Sequence, residues 1–213
     1  MLHKDPFIIA PETFQLIQHL QQLPELSNFY LVGGTSLALQ LGHRNSIDVD
    51  LFTLDEFDTQ SLIDLISEHF KLTPTVRFKN GLMGVINGVK SDFIRHNYPL
   101  INPPITEEGI TYLSMEDIAA MKINAISNSG KRLKDFIDIY YLLEHLSMER
   151  IIECYSQKYI DFNPLIAIRA VDYFEDIDPS IDPPIMKSTL SLEKIKKRIR
   201  EALLHRKKKF QDE

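Results

Sequence analysis

Asp48 and Asp50 stand two apart in the run Asp48-Val49-Asp50-Leu51-Phe52. Side chains alternate on an extended chain, so both carboxylates share one face while Val49 and Leu51 face a core. Two like charges at that spacing repel each other. A hard divalent cation removes the repulsion, and Mg²⁺ suits one or two carboxylates together with phosphate oxygens and water. Upstream, Gly33-Gly34-Thr35-Ser36 follows the apolar run Phe29-Tyr30-Leu31-Val32. A glycine turn that opens a helix presents free backbone N–H groups, which hold phosphate. Thr35 or Ser36 is placed to cap that helix. Alone, Gly-Gly is usually only a tight turn, and D-x-D is common on solvated strand ends. In this order the two describe a metal and nucleotide site. Arg44, in the polar loop before Asp48, either reaches a triphosphate or pairs with a nearby aspartate.

Asp92 is the third carboxylate of interest. It sits in Val89–Arg95, followed by Phe93 and Ile94, and an aspartate inside an apolar strand is costly unless something pairs with it. If this strand lies beside that of Asp50, the three carboxylates can hold one or two Mg²⁺ ions. Two ions about 3.5–4 Å apart are the arrangement used for in-line phosphoryl displacement. The plainer alternative is a solvent-facing aspartate on a sheet edge.

The elements that must position these groups follow from pattern. Phe14, Ile17 and Leu20 give a helix over Pro11–Gln22, and Leu37 and Leu41 mark a short one stopped by Gly42. Asp58 or Thr59 caps a helix to about His69. Leu72–Lys79, Leu82–Ile86 and Val89–Arg95 read as strands separated by Asn80-Gly81 and Asn87-Gly88, an antiparallel meander with Pro74 placing the first strand at an edge. Tyr98–Gly109 reads as a proline-bearing loop and a boundary, and Ile110–Leu113 as a short strand. Ser114 caps a helix to about Ile126, with Lys122 on or beside its apolar face. Another helix spans KRLKDFIDIYYLLEHL, where Lys131 and Asp135, and Lys134 and Asp138, lie one turn apart. Further helices start near Ser147, Asn163-Pro164 and Ser191. The expected fold is α/β: a small mixed sheet flanked by helices over residues 1–109, then a mainly helical part over 110–213 that completes a cleft.

Composition excludes several classes. Among 213 residues no apolar run approaches a membrane span, and the first ten residues do not form a secretory signal. Cys154 is the single cysteine, which rules out an internal disulfide and suits a reducing cytoplasm. Its helical surroundings make it a core residue. Net charge is −6, yet residues 187–213 carry +6 and the remainder −12. Any nucleic-acid contact would fall on that basic end, whose plainer reading is a solvated helix face. Walker, G-x-G-x-x-G, paired-cysteine and G-x-S-x-G motifs are all missing.

Gly33-Gly34, thirteen intervening residues and Asp48-Val49-Asp50-Leu51 resemble the G-[GS]-x(9–13)-[DE]-h-[DE]-h signature of polymerase-beta-type nucleotidyltransferases. GGTSLALQLGHRNSIDVDLF, DIAAMKINAI and KRLKDFIDIYYLL in succession, continued into AVDYFEDIDPSIDPPIMK, are more narrowly similar to the AbiEii/AbiGii toxin family, over roughly Phe29–Lys187. The resemblance implies transfer of a nucleoside monophosphate from an NTP to an acceptor hydroxyl. The acceptor it suggests is the 3′ end of tRNA, with a protein side chain or small molecule as the next choice, in a toxin–antitoxin or phage-defence setting with a cognate antitoxin. It assigns Mg²⁺ and nucleotide to Gly33, Gly34, Thr35, Ser36, Asp48 and Asp50, a third carboxylate to a later strand, and activity to Lys134 and Asp135, with Lys122 an additional lysine. Lys134 would meet nucleotide phosphate; Asp135 would position it or take the acceptor proton. The chain is shorter than the better-known toxins. The rival reading is a nucleotide-sensing or partner-binding module that keeps the fold without the transfer.

Overall fold

The computed structural model describes residues 1–211; Asp212 and Glu213, counted above in the basic end, lie outside the described residues. Two units are distinguished, residues 1–98 with 104–113, and residues 99–103 with 114–213. The strand after Gly109 therefore belongs with the first unit rather than opening the second.

The first unit is built on one mixed sheet of seven strands: β1 (Tyr30–Leu31), β2 (Val49–Thr53), β3 (Leu72–Phe78), β4 (Gly81–Ile86), β5 (Val89–Arg95), β6 (Ile105–Glu107) and β7 (Ile110–Tyr112), in the order β3-β4-β5-β2-β1-β7-β6. β2 runs parallel to β5 and β1 parallel to β7; the other neighbours are antiparallel. The meander forms as its turn residues require. Asn87 and Gly88 both have positive φ, 52° and 90°, the backbone of a two-residue turn that matches strand twist. Pro74 lies in the edge strand next to a bulge, where its missing N–H leaves no ladder bond unmade. β6 lies in the stretch expected to be loop. It is three residues long and mostly exposed, too short to give an alternating pattern.

Three helices belong to this unit: α1 (Pro11–Gln21), α2 (Gly33–Leu41) and α3 (Thr59–His69). Pro24 begins a 3₁₀ turn after α1. Ile17 and Leu20 of α1, Leu62 and Ile66 of α3, and Val49, Leu51, Leu82 and Phe93 of the sheet share one core. That fixes the sheet's two faces. Val49 and Leu51 point into the core, so Asp50 between them points away.

The second unit is helical: α4 (Met115–Asn128), α5 (Leu133–His145), α6 (Met148–Lys158), α7 (Pro164–Val171) and α8 (Leu192–Leu204). Ser114, Ser147, Asn163 and Ser191 each cap a helix by accepting a backbone N–H. Phe136, Ile139, Leu142, Ile151, Cys154, Ile195 and Ile199 are among its core residues. Asp117 and Lys158 are both fully buried and paired at 2.9 Å. Asp117 also accepts from the Ile101 and Asn102 N–H groups, and Lys158 donates to the Pro99 carbonyl, so this pair anchors the 99–103 segment.

Candidate active site

α2 starts at Gly33, so its cap position is Val32, and no side chain caps it. This corrects the expectation that Thr35 or Ser36 would do so. Both lie inside the first turns and are buried. The Thr35 hydroxyl donates to the Asp48 carbonyl and bonds Ser46 Oγ at 2.8 Å; Ser36 Oγ accepts from Gln40 Nε2 at 3.2 Å. Their hydroxyls thus brace the turn against the segment that leads into β2. What the start of α2 offers a ligand is backbone: the first N–H groups of a helix have no partner within it.

The two glycines are required by what surrounds them. Gly33 has φ +69°, and a Cβ there would overlap Asp50 Oδ2. A Cβ on Gly34 would overlap the Arg44 guanidinium. Bare backbone therefore passes between a carboxylate and a cation. Arg44 is 2% exposed, and its Nη1 donates to the Asn45 carbonyl at 2.9 Å. It is part of the wall behind the turn, and it adds positive potential where the helix N-terminus already favours anions.

On the other side of Asp50 the register brings in Asp92. β2 and β5 run parallel with Asp50 opposite Asp92 and Val49 opposite Ser91, so the two carboxylates occupy adjacent positions on one face. Asp48 precedes β2 by one residue, and its charge reaches Asp92. Burial first, and then the negative charge of Asp48, push the Asp92 carboxyl above the usual aspartate range; Lys90, at 3.9 Å, pulls the other way. Asp92 is 6% exposed, and its Oδ1 is buried without a hydrogen-bond donor. A buried, unsatisfied carboxylate oxygen facing a second negative charge is an arrangement that a cation relieves. The donors are the hard oxygens that Mg²⁺ takes, so the residues fit the ion. Among the described residues no three acidic, histidine or cysteine side chains are already drawn around a single point. The carboxylates share a face without forming a ready shell.

The other sequence-derived positions lie in the helical unit. Lys122 is buried, and its Nζ contacts Asp135 Oδ1 at 2.8 Å and Asp138 Oδ2 at 2.7 Å. Arg132 Nε bonds the other Asp135 oxygen at 3.0 Å. Lys134 pairs with Asp182. The one-turn pairs Lys131–Asp135 and Lys134–Asp138 are replaced by partners from elsewhere. Arg132 has no signal in the sequence; Asp138, expected to pair with Lys134, is a buried partner of Lys122, and its signal is a carboxylate between Ile137 and Ile139 on a helix that must bury both. Asp135 is held by two cations, Lys122 and Arg132. Cys154 is buried, and burial pushes its thiol up to about 11, which leaves it protonated and inert at neutral pH.

Comparison with known proteins bears on the fold and the family. A protein of Aquifex aeolicus (strain VF5), "Uncharacterized protein aq_aa25", is 30% identical over 174 residues, covering 79% of this chain and 84% of its own. Two solved Helicobacter pylori structures share the fold. A putative nucleotidyltransferase superposes with TM-score 0.57 at 14% identity, covering 91% of each chain. JHP933 superposes with TM-score 0.54 at 13% identity, covering 91% of this chain and 88% of its own. The family described as "Nucleotidyl transferase AbiEii toxin, Type IV TA system" matches over residues 15–102 and 83–212. The chain belongs to the AbiEii family of nucleotidyltransferases.

Proposed function

We propose that the first unit binds a Mg-NTP and transfers its nucleoside monophosphate to an acceptor hydroxyl, releasing pyrophosphate. The observation that carries this is the place of Asp50: its carboxylate lies against the Gly33 turn on one side and in register with Asp92 on the other. Phosphate cradle and metal carboxylates are therefore one site. Gly33 and Gly34 let the phosphates approach bare backbone N–H groups at the start of α2. Buried Arg44 fixes that turn from behind. Asp48, Asp50 and Asp92 hold the metal, one ion or two. When bound, Mg²⁺ neutralises the phosphates and makes the acceptor oxygen a better nucleophile. Thr35 and Ser36 keep the turn in shape. The family resemblance assigns a part in the activity to Lys134, which pairs with Asp182 in the helical unit. Lys122 and Arg132 hold Asp135 in place.

Membership of the AbiEii family supports a role as the toxin of a toxin–antitoxin pair, and we take the 3′ end of tRNA as the acceptor, as the sequence resemblance implies. No helix among the described residues is long and apolar enough to cross a membrane, and a cytoplasmic setting suits an enzyme that draws on NTP.

Calorimetry of Mg-NTP binding, run beside transfer of label from each NTP in turn to total RNA, tests the reading. Wild-type protein is expected to bind and to label a discrete RNA; Asp48→Asn is expected to lose transfer by about 10²–10³-fold or more. Binding without transfer to any acceptor would make the chain a nucleotide sensor.

A further inference from the structure

The helical unit holds a cavity that the proposed transfer does not use. It measures 610 Å³ and is walled by α5, α8 and the segment after α8. Among the described residues, Lys194, Lys197, Arg198, Lys208 and Lys209 line it, against Glu144 and Glu201, in a chain whose net charge is −6. Both carboxylates are already taken, Glu144 by Arg198 and Glu201 by Lys208 at 2.6 Å. Lys194, Lys197 and Lys209 are exposed, and no ion pair is formed by Lys194 or Lys209 among the described residues.

Beneath these lysines is a fixed floor. The Arg198 guanidinium lies 3.6 Å from the Tyr140 ring centre and donates to the Tyr140 carbonyl at 3.2 Å. Tyr141 meets Tyr140 edge to face at 5.2 Å. The Phe210 N–H donates to the Leu143 carbonyl at 3.0 Å, which ties the segment after α8 back to α5. Lys194 and Lys197 lie one turn apart on α8, so their ammonium groups can meet successive phosphates. An aromatic side chain below and cations above are the two parts of a site for an unpaired strand: a base stacks, phosphates take the lysines. A duplex keeps its bases inside and cannot reach the floor.

We propose that this cavity binds single-stranded nucleic acid, with a base against Tyr141 and the flanking phosphates on Lys194, Lys197 and Lys209. The inference needs neither the carboxylates nor the glycine turn, so it stands or falls apart from the transfer reaction.

The test is fluorescence anisotropy of the full chain with a labelled, unstructured oligoribonucleotide of about twelve nucleotides, a length within the usual single-strand site sizes. It is run in EDTA, across a range of salt. A single-strand phosphate contact contributes about 0.7 to the log–log salt slope, which is about five-fold in affinity at 0.1 M salt. Replacing Lys194, Lys197 and Lys209 with Gln should therefore cost about 100-fold at that salt and flatten the slope by about 2. All three are exposed, so folding is not at issue. Tyr141→Ala should cost about ten-fold, and Tyr141→Phe should restore wild-type binding. Asp48→Asn should bind as wild type. Unchanged affinity and slope in the triple variant would overturn the proposal. So would a Tyr141→Phe variant as weak as Tyr141→Ala, tripolyphosphate or duplex competing as well as the single strand at equal phosphate, or loss of binding in Asp48→Asn. Absence of NMP transfer alongside the expected binding losses would refute the transferase and leave this site standing.

Discussion

Asp92 is a residue the fold would be more stable without. Its carboxyl is raised by burial and by Asp48, and one oxygen has no donor. A carboxyl whose pKa is higher in the folded chain than in the unfolded one binds more protons when folded, so stability falls as pH rises through the window between the ordinary aspartate value and the raised one. The cost is therefore greater at neutral pH than at pH 4. Asp92→Asn removes the charge and keeps the shape. It should raise stability at pH 7 by about 1 kcal/mol, the scale of one unsatisfied buried group, with a smaller gain at pH 4, while transfer falls by about 10²–10³-fold. Added Mg²⁺ should raise the melting temperature of the wild type and leave the variant unmoved. Thermal melts with and without Mg²⁺ at the two pH values check each part. Gly33→Ala tests the neighbouring contact. Its new methyl group would sit in the space of Asp50 Oδ2 at a backbone angle that L residues rarely adopt, costing about 1 kcal/mol or more. Displacing Asp50 should cut Mg-NTP affinity at least about ten-fold, read by calorimetry, in a chain whose circular dichroism still reports the native fold.

The elements were legible where their signals are local. Asp58, Ser114, Ser147, Asn163 and Ser191 cap helices because a short oxygen-bearing side chain reaches a backbone N–H two or three residues on. Asn87-Gly88 turns a hairpin for an equally local reason. The sheet order and the pairing of β2 with β5 depend on contacts about forty residues apart, which no local pattern encodes; the case for Asp92 rested on motif order until the register joined it to Asp50. The ion pairs of α5 were misread for the same reason. A surface pair one turn apart contributes a few tenths of a kcal/mol, whereas Lys122 is carried into the interior on α4 and must be neutralised there. Asp135 and Asp138 do that. Lys122→Met should therefore cost about 3–5 kcal/mol, because two buried carboxylates lose their shared cation. Urea unfolding would show it, and adding Asp138→Leu should recover a large part. Unchanged stability with weakened NTP binding would instead make Lys122 a nucleotide ligand.

At the scale of the whole chain the decisive feature is where charge sits. Residues 187–213 carry +6 and the rest −12. The acidic part holds the proposed phosphate site, so long-range potential works against an incoming nucleotide, and binding there must come from contacts at the glycine turn and from the cation that travels with the NTP. A polyanionic acceptor has the opposite problem: it is repelled by most of the chain and attracted by the basic stretch, through many exposed lysines whose effect salt screens. The two substrates should therefore respond differently to salt. Raising it from about 0.05 to 0.2 M at fixed Mg²⁺ should increase the KM for a nucleic-acid acceptor by at least about ten-fold, as expected for several phosphate contacts, while the KM for Mg-NTP stays within about two-fold. Equal salt dependence of the two constants would mean that the acceptor is held without the lysines, and would point to a protein side chain or small molecule as the group that receives the nucleotide.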